Sequence, residues 1–373
     1  MLPYISLIFI PLLFTIIAED YFLARKKTVC DVCDTAFQKR NKFIIPVFFF
    51  VFFVLLSLRH ESIGVDIVAY RKLFKTISFM SIEEVFSKEG DDLYNLLNWI
   101  VTCFTGNYRI FLVIVAGMTV VPVAMLYSED REWGYLKLTT FLVMPTFMMM
   151  FSGLRQAIAI SVGIIAYKLV REKKILPFIL ASVIALGFHH SAFVIFLLYP
   201  LYHFSFKTKH LWFIIPALSG TFVFNKQIFS LLTRIATRLF GDDYSAEISQ
   251  RDGYTMLILF ILLAIFAYVI PDESRMDKET LGLRNILLMA VFLQCFAPVH
   301  ALAMRMNYYF IIFIPHLIPK IIRYRKNMFK EIGYLAGWVL TIFFLIYYLD
   351  KMIKGCQSGV GSLGIYPYQP FWR

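Results

Sequence analysis

Charge is what this sequence has least of. Only 17% of its 373 residues are Asp, Glu, Lys or Arg, 59% are hydrophobic, and the mean hydropathy is +0.69. A soluble domain carries about 25% charged residues, so water is excluded as the main solvent of this chain. Cysteine is also scarce. Cys30, Cys33, Cys103, Cys295 and Cys356 are too few and too scattered for a disulfide framework. Cys30 and Cys33 have the spacing of a redox or zinc half-site, but no second pair or histidine stands at ligand spacing. Walker loops, dinucleotide fingerprints and HExxH helices do not occur, so no cofactor and no metal are expected. Internal repeats and low-complexity tracts are missing too. The apolar run from Leu2 to Ala18 lacks a basic start and a small-residue cleavage site, and it reads as a retained first span.

What the chain has instead is aromatic and aliphatic side chains in long runs. Phe occurs 39 times and Tyr 21 times, as suits rings packed against lipid tails and at the headgroup level. A helix crosses the hydrocarbon core with about 17–25 mostly apolar residues. That criterion selects 2–20, 43–58, 109–127, 135–151, 154–170, 254–270, 285–304, 307–322 and 331–349, with 211–224 as a short candidate. Residues 175–204 are too long for one helix and read as two segments meeting at a polar turn around Gly187, His189, His190 and Ser191. The expectation is an all-α polytopic membrane helix bundle, one transmembrane domain over 1–373 with about 10–12 spans. The net charge of +12 is parcelled between apolar runs, so topology accounts for it better than nucleic acid does.

Basic loops stay in the cytoplasm. Segments 21–42 and 320–330 are rich in Lys and Arg and are expected inside. Alternation then also puts Arg171/Lys173/Lys174 and Arg275/Lys278/Arg284 inside and both termini outside. Outer segments are expected near 59–108 and 225–253. The first includes an amphipathic stretch from Asp91 to Ile100 that reads as a helix along the interface.

An ionisable group at mid-membrane costs roughly 2.5–3.5 kcal/mol on insertion scales, so each one beside a span calls for a reason. On this topology Arg59, Asp66, Arg155, His189, His190 and Arg305 come from four parts of the chain and meet at the outer boundary. Taken singly, Arg59 and Arg305 read as snorkelling anchors, Asp66 as a solvated loop carboxylate, and the His pair as a hydrogen-bonded corner. Taken together they suit an anionic lipid-linked substrate, because arginine forks match phosphate oxygens. A carboxylate or imidazole among them has the chemistry of a general base.

At these residues the sequence resembles the EpsG family of Wzy-like polymerases. The resemblance rests on Leu58-Arg59, Gly64-Val65-Asp66 and Tyr70, then Gly153-Leu154-Arg155-Gln156 with Ala159, then Phe188-His189-His190-Ser191-Ala192. Later it includes Arg305 before Tyr308-Tyr309-Phe310 and the tail Tyr366-Pro367-Tyr368. Val65 departs from the small polar residue frequent there. The resemblance implies a metal-independent glycosyltransferase that polymerises polyprenyl-pyrophosphate-linked repeat units at the outer face of a bacterial inner membrane. It casts Asp66, His189 and Arg155 as catalytic, and Arg59, Tyr70, Gln156, His190 and Arg305 as substrate-binding. The implied partners are lipid-linked oligosaccharide, membrane lipids and a chain-length co-polymerase. Two alternatives stay open: a membrane O-acyltransferase acting on the same glycan with a His as base, and a flippase for the lipid-linked oligosaccharide.

Overall fold

Runs of apolar residues satisfy their own backbone hydrogen bonds as helices. The computed structural model describes residues 1–23, 32–130, 132–204, 206–240, 253–358 and 362–372, and among them it holds eighteen α-helices and no strand. The protein is an all-α membrane helix bundle. Cys30, the basic run Arg25, Lys26 and Lys27, and Asp242 and Asp243 of the second expected outer segment lie outside the described residues.

Backbone contacts divide the chain into two compact units, Met1–Phe193 with Leu335–Arg373, and Val194–Tyr334. The first unit contains α1 (Leu2–Leu23), α2 (Val32–Leu58), α3 (Ile67–Ile77), α4 (Ile82–Ser87), α5 (Asp92–Phe104), α6 (Tyr108–Ser128), α7 (Gly134–Val143), α8 (Pro145–Ser152), α9 (Leu154–Arg171) and α10 (Ile175–Phe188). The second contains α11 (Leu198–His203), α12 (Leu211–Val223), α13 (Asn225–Phe240), α14 (Tyr254–Val269), α15 (Lys278–Gln294), α16 (Ala301–Ile311) and α17 (Ile314–Arg323). Most of α18 (Lys330–Ser358) belongs to the first unit.

In the first unit α2 packs on α1 and α6, α6 on α9, and α9 on α10. Phe48, Phe49, Phe52, Phe147 and Phe151 form a ladder of rings with centroids 5.1–6.3 Å apart, many of them edge to face. Helices α6 and Leu335–Ser358 are each long and apolar enough to cross a membrane. Leu2–Phe14, Phe43–Leu58, Ile175–Phe188 and Tyr254–Val269 are shorter apolar helices.

Several expected spans are interrupted for local reasons. Residues 135–151 do not form one straight helix: Pro145 disfavours helix at the residue before it, Met144 is extended at φ −67° and ψ 142°, and α7 and α8 meet at 63°. The expected spans 285–304 and 307–322 misplace their boundaries. Helix α15 stops at Gln294, four residues before Pro298, and α16 and α17 meet at a 46° bend just ahead of Pro315. The stretch expected to lie along the interface behaves differently as well, since α5 buries Tyr94, Asn95 and Asn98 and exposes Ile100 and Phe104. Its polar face turns inward, the reverse of a soluble amphipathic helix.

The C-terminal tail closes over the start of the first loop. Arg59 pairs with Pro370 in an isolated antiparallel bridge, His60 N donates to Gln369 O at 2.8 Å, and Gly64 N donates to Gly364 O at 3.0 Å. Both chain ends therefore lie at the same end of this unit as the first loop, since Tyr4 donates its hydroxyl to Ile365 O. At the other end Arg171 pairs with Glu129 and Lys174 with Glu172.

The second unit is organised around α15, which packs on α11, α14, α16 and α17. Arg284, expected in a basic loop, is instead fully buried on α15. Its Nη2 donates to Glu273 Oε2 at 2.8 Å and to Phe206 O at 2.7 Å, and its guanidinium lies 4.1 Å from the Tyr268 ring centroid. Lys320, also expected in a loop, is buried and donates to Glu279 at 3.0 Å.

Two stability measurements follow from this packing. Gly64 has φ +101°, and a Cβ there would sit 2.3 Å from the Phe151 carbonyl oxygen. Gly64→Ala should therefore lose about 2 kcal/mol or more, read as a lower thermal midpoint of the purified protein. Glu273→Ala strands the Arg284 charge in the interior and should cost about 3–5 kcal/mol by the same readout.

Candidate active site

The local chain geometry brings three junctions together. Gly153 N donates to Met149 O and ends α8, and α9 begins at once, which sets Arg155 in its first turn. Helix α5 starts just after Asp91. Helix α10 stops at Phe188 because His189 is extended, with φ −162° and ψ 125°.

Asp91 joins the three. Its Oδ2 accepts from Arg155 Nη1 at 2.8 Å, while its Oδ1 lies 3.2 Å from the His190 backbone N and 3.2 Å from His190 Nε2. The Asp91 side chain is 4% exposed, that of Arg155 37%, and that of His190 78%. Burial pushes the Asp91 carboxyl above the usual carboxylate range, against the opposing pull of Arg155 and His190. The Arg155 guanidinium also lies 5.5 Å from the Tyr70 ring centroid.

Asp66 stands one turn before Tyr70, at the start of α3. Its carboxylate is exposed and accepts from Ser152 Oγ at 3.1 Å, and its backbone N donates to the same oxygen at 3.3 Å. Gln156 Nε2 donates to Ser191 Oγ at 3.3 Å. The Ser191 backbone N donates to His189 Nδ1 at 3.2 Å, which leaves the proton of the neutral imidazole on Nε2.

Arg59 follows α2 and is 3% exposed, with its guanidinium 5.8 Å from the Phe151 ring centroid. Burial lowers its pKa to about 10, so it is charged at neutral pH. Its Nε and Nη1 have no hydrogen-bond partner among the described residues.

These landmarks are those of one family, whose model matches residues 42–370. The chain belongs to the EpsG family. Members of this family are Wzy-like polymerases, which makes the chain a membrane enzyme of polysaccharide biosynthesis. The curated proteins and the solved structures contain no match to it.

Of the residues singled out in this EpsG-family sequence, the first unit gathers Asp66, Tyr70, Arg155, Gln156, His189 and His190, with Arg59 beneath the tail. Arg305 is on α16 of the second unit, on an exposed face. Sequence reasoning missed Asp91 as a site residue, and Tyr94 and Asn95 with it. The available signal was Asn95 and Asn98 on one face of a helix otherwise rich in Leu, Trp and Ile, together with an acidic residue at its start.

A pH measurement checks the Asp91 assignment. A carboxyl whose pKa is raised on folding contributes stability that is full below its unfolded pKa and is lost as pH rises through its folded pKa. The difference in thermal midpoint, wild type minus Asp91→Asn, should therefore grow as pH falls from about 8 to about 4. A difference that stays flat with pH contradicts a raised Asp91.

Proposed function

We propose that this chain joins polyprenyl-pyrophosphate-linked oligosaccharide repeat units by glycosyl transfer at the outer face of a bacterial inner membrane. The observation that carries the reading is the convergence of Asp66, Arg155, His190 and Asp91 at one end of a membrane bundle in an EpsG-family chain. Orientation is supported by α9 itself. Its start carries Arg155, and its end, about 24 Å away, leads into Arg171, Lys173 and Lys174, as a cytoplasmic loop would.

In the proposed step an acceptor sugar hydroxyl attacks the anomeric carbon of the donor unit. A new glycosidic C–O bond forms, the bond from that carbon to the pyrophosphate oxygen breaks, and polyprenyl pyrophosphate leaves with the electron pair. The hydroxyl proton passes to a general base. Asp66 suits that role because its carboxylate is exposed and accepts from a neutral hydroxyl, that of Ser152. His189 suits it less, since Nδ1 already accepts from Ser191 and Nε2 carries the proton. Its chemistry is that of a donor to sugar or phosphate oxygen. Arg155, steadied by Asp91, stabilises negative charge developing on the leaving group. Gln156, Tyr70 and His190 position the reacting sugars.

The test is the glycan ladder of cells in which the gene is deleted and then restored with wild type, Arg155→Ala or Asp66→Asn. Deletion should leave carriers bearing a single repeat unit and wild type should return the ladder. Loss of the base or of the leaving-group charge should lower polymerisation about 100-fold or more. Wild-type ladders in both variants would sink the assignment.

A further inference from the structure

Asp66 ends a stretch of chain whose backbone is held from two sides. On one side lies α8. Gly64 packs so closely there that a Cβ would sit 2.3 Å from the Phe151 carbonyl oxygen, and Ser152 Oγ bonds both the Asp66 backbone N and its carboxylate, at 3.3 and 3.1 Å. On the other side lies the segment 363–371, running antiparallel. Phe371 N donates to Leu58 O at 3.0 Å, Arg59 pairs with Pro370, and His60 N donates to Gln369 O at 2.8 Å. Gly64 N and Val65 N then donate to Gly364 O and Leu363 O, both at 3.0 Å. The last of these bonds falls one residue before Asp66.

The segment is itself fastened by side chains to four helices. Ile365 is buried and its carbonyl accepts from the Tyr4 hydroxyl on α1. The Tyr366 ring occupies the space that Gly355 of α18 leaves open, where a Cβ would come within 2.4 Å of it. Tyr368 Oη donates to Leu55 O of α2 at 2.9 Å, and the Phe371 ring centroid lies 3.3 Å from the guanidinium of Arg109 in the first turn of α6.

An exposed carboxylate has no burial to hold it, so its place is set mainly by the backbone that carries it. A general base has to stand within hydrogen-bond reach of the proton it takes, and a displacement of about 1 Å costs on the order of 100-fold in rate. We propose that residues 363–371 are a positioning element for Asp66, clamping 58–65 against α8 so that the carboxylate meets the acceptor hydroxyl. The assignment rests on the polymerase reading, in which Asp66 is the base.

The test uses purified full-length protein in lipid nanodiscs, with the single-unit carriers extracted from the deletion cells as substrate. Phe371→Leu keeps an apolar side chain but takes the ring away from Arg109, and its thermal midpoint should stay within about 2 °C of wild type. The amides of His60, Gly64 and Val65 should exchange with deuterium about tenfold faster. Elongation should show kcat lowered about tenfold with KM within about twofold, and Phe371→Tyr, which keeps the ring, should restore it. In an Asp66→Asn background Phe371→Leu should slow the residual rate no further. If Phe371→Leu does not fold, Tyr368→Phe, which loses the bond to Leu55 O, is measured in the same way.

Unchanged amide exchange overturns the clamp, and faster exchange with an unchanged kcat makes the segment a cover and overturns its positioning role. A raised kcat makes it a lid and does the same, as does a loss of rate that persists in the Asp66→Asn background. Each of these results leaves wild-type elongation intact and the polymerase reading with it. Wild-type protein that elongates no carrier overturns the polymerase reading and the positioning role together.

Discussion

One buried carboxylate ties one end of the first unit together. Asp91 is nearly inaccessible, and a carboxylate in that position persists only with donors around it. It finds them on α9 through Arg155 and on the turn after α10 through His190, while its own backbone leads into α5. Three segments far apart in sequence are thereby held to within a hydrogen bond of one atom pair. Without it the interruptions at Gly153 and His189 would be two unrelated breaks. With it they are the corners of one site.

The same end of the unit inverts the usual rule for amphipathic helices. Helix α5 turns Asn95 and Asn98 inward and leaves Ile100 and Phe104 on the surface. Lipid makes this sensible, because an exposed Phe costs nothing there and an exposed Asn does. The polar interior that results is incompletely satisfied from within: Asn95 Nδ2, Tyr108 Oη and Arg155 Nε lack partners among the described residues, as do two nitrogens of Arg59. Contrast Arg284 in the second unit, which is equally buried but bonded to Glu273 and Phe206. Arg284 keeps one nitrogen, Nε, without a partner among the described residues, against two on Arg59.

Much of this was readable beforehand, and the reasons it stopped are physical. Helical class follows from long apolar runs, and the landmarks Arg59, Asp66, Arg155 and His190 stand out because charge is so rare around them. Helix ends were less legible. Pro145 sets the 63° bend at Met144, but a proline within a window of high hydropathy does not by itself separate a kink from a break in the sequence. Asp91 was obscured by its neighbour Asp92, which is exposed, since two adjacent acids look alike until the helix start decides which one turns inward. Lys320 and Arg284 looked like loop charges because counting basic residues ignores half-buried acidic partners such as Glu279 and Glu273.

Exposure along the site is graded, and the gradient matches the physical problem of a lipid-linked sugar. Arg59 is 3% exposed and His190 78%, with Arg155 between them. A polyprenyl carrier keeps its tail in hydrocarbon, its glycan in water and its pyrophosphate at the boundary. On the proposed reading the charge-binding groups sit deep because an anion drawn out of water interacts most strongly with fixed donors where the dielectric is low. On the same reading Asp66 and His190 would handle sugar hydroxyls, and both are exposed enough for water and a growing glycan to reach them. A site in which both ends were equally exposed would bind phosphate weakly, and one equally buried would exclude the acceptor chain. On this reading the unequal burial of two arginines and one carboxylate is the feature that would let a single cluster face both solvents.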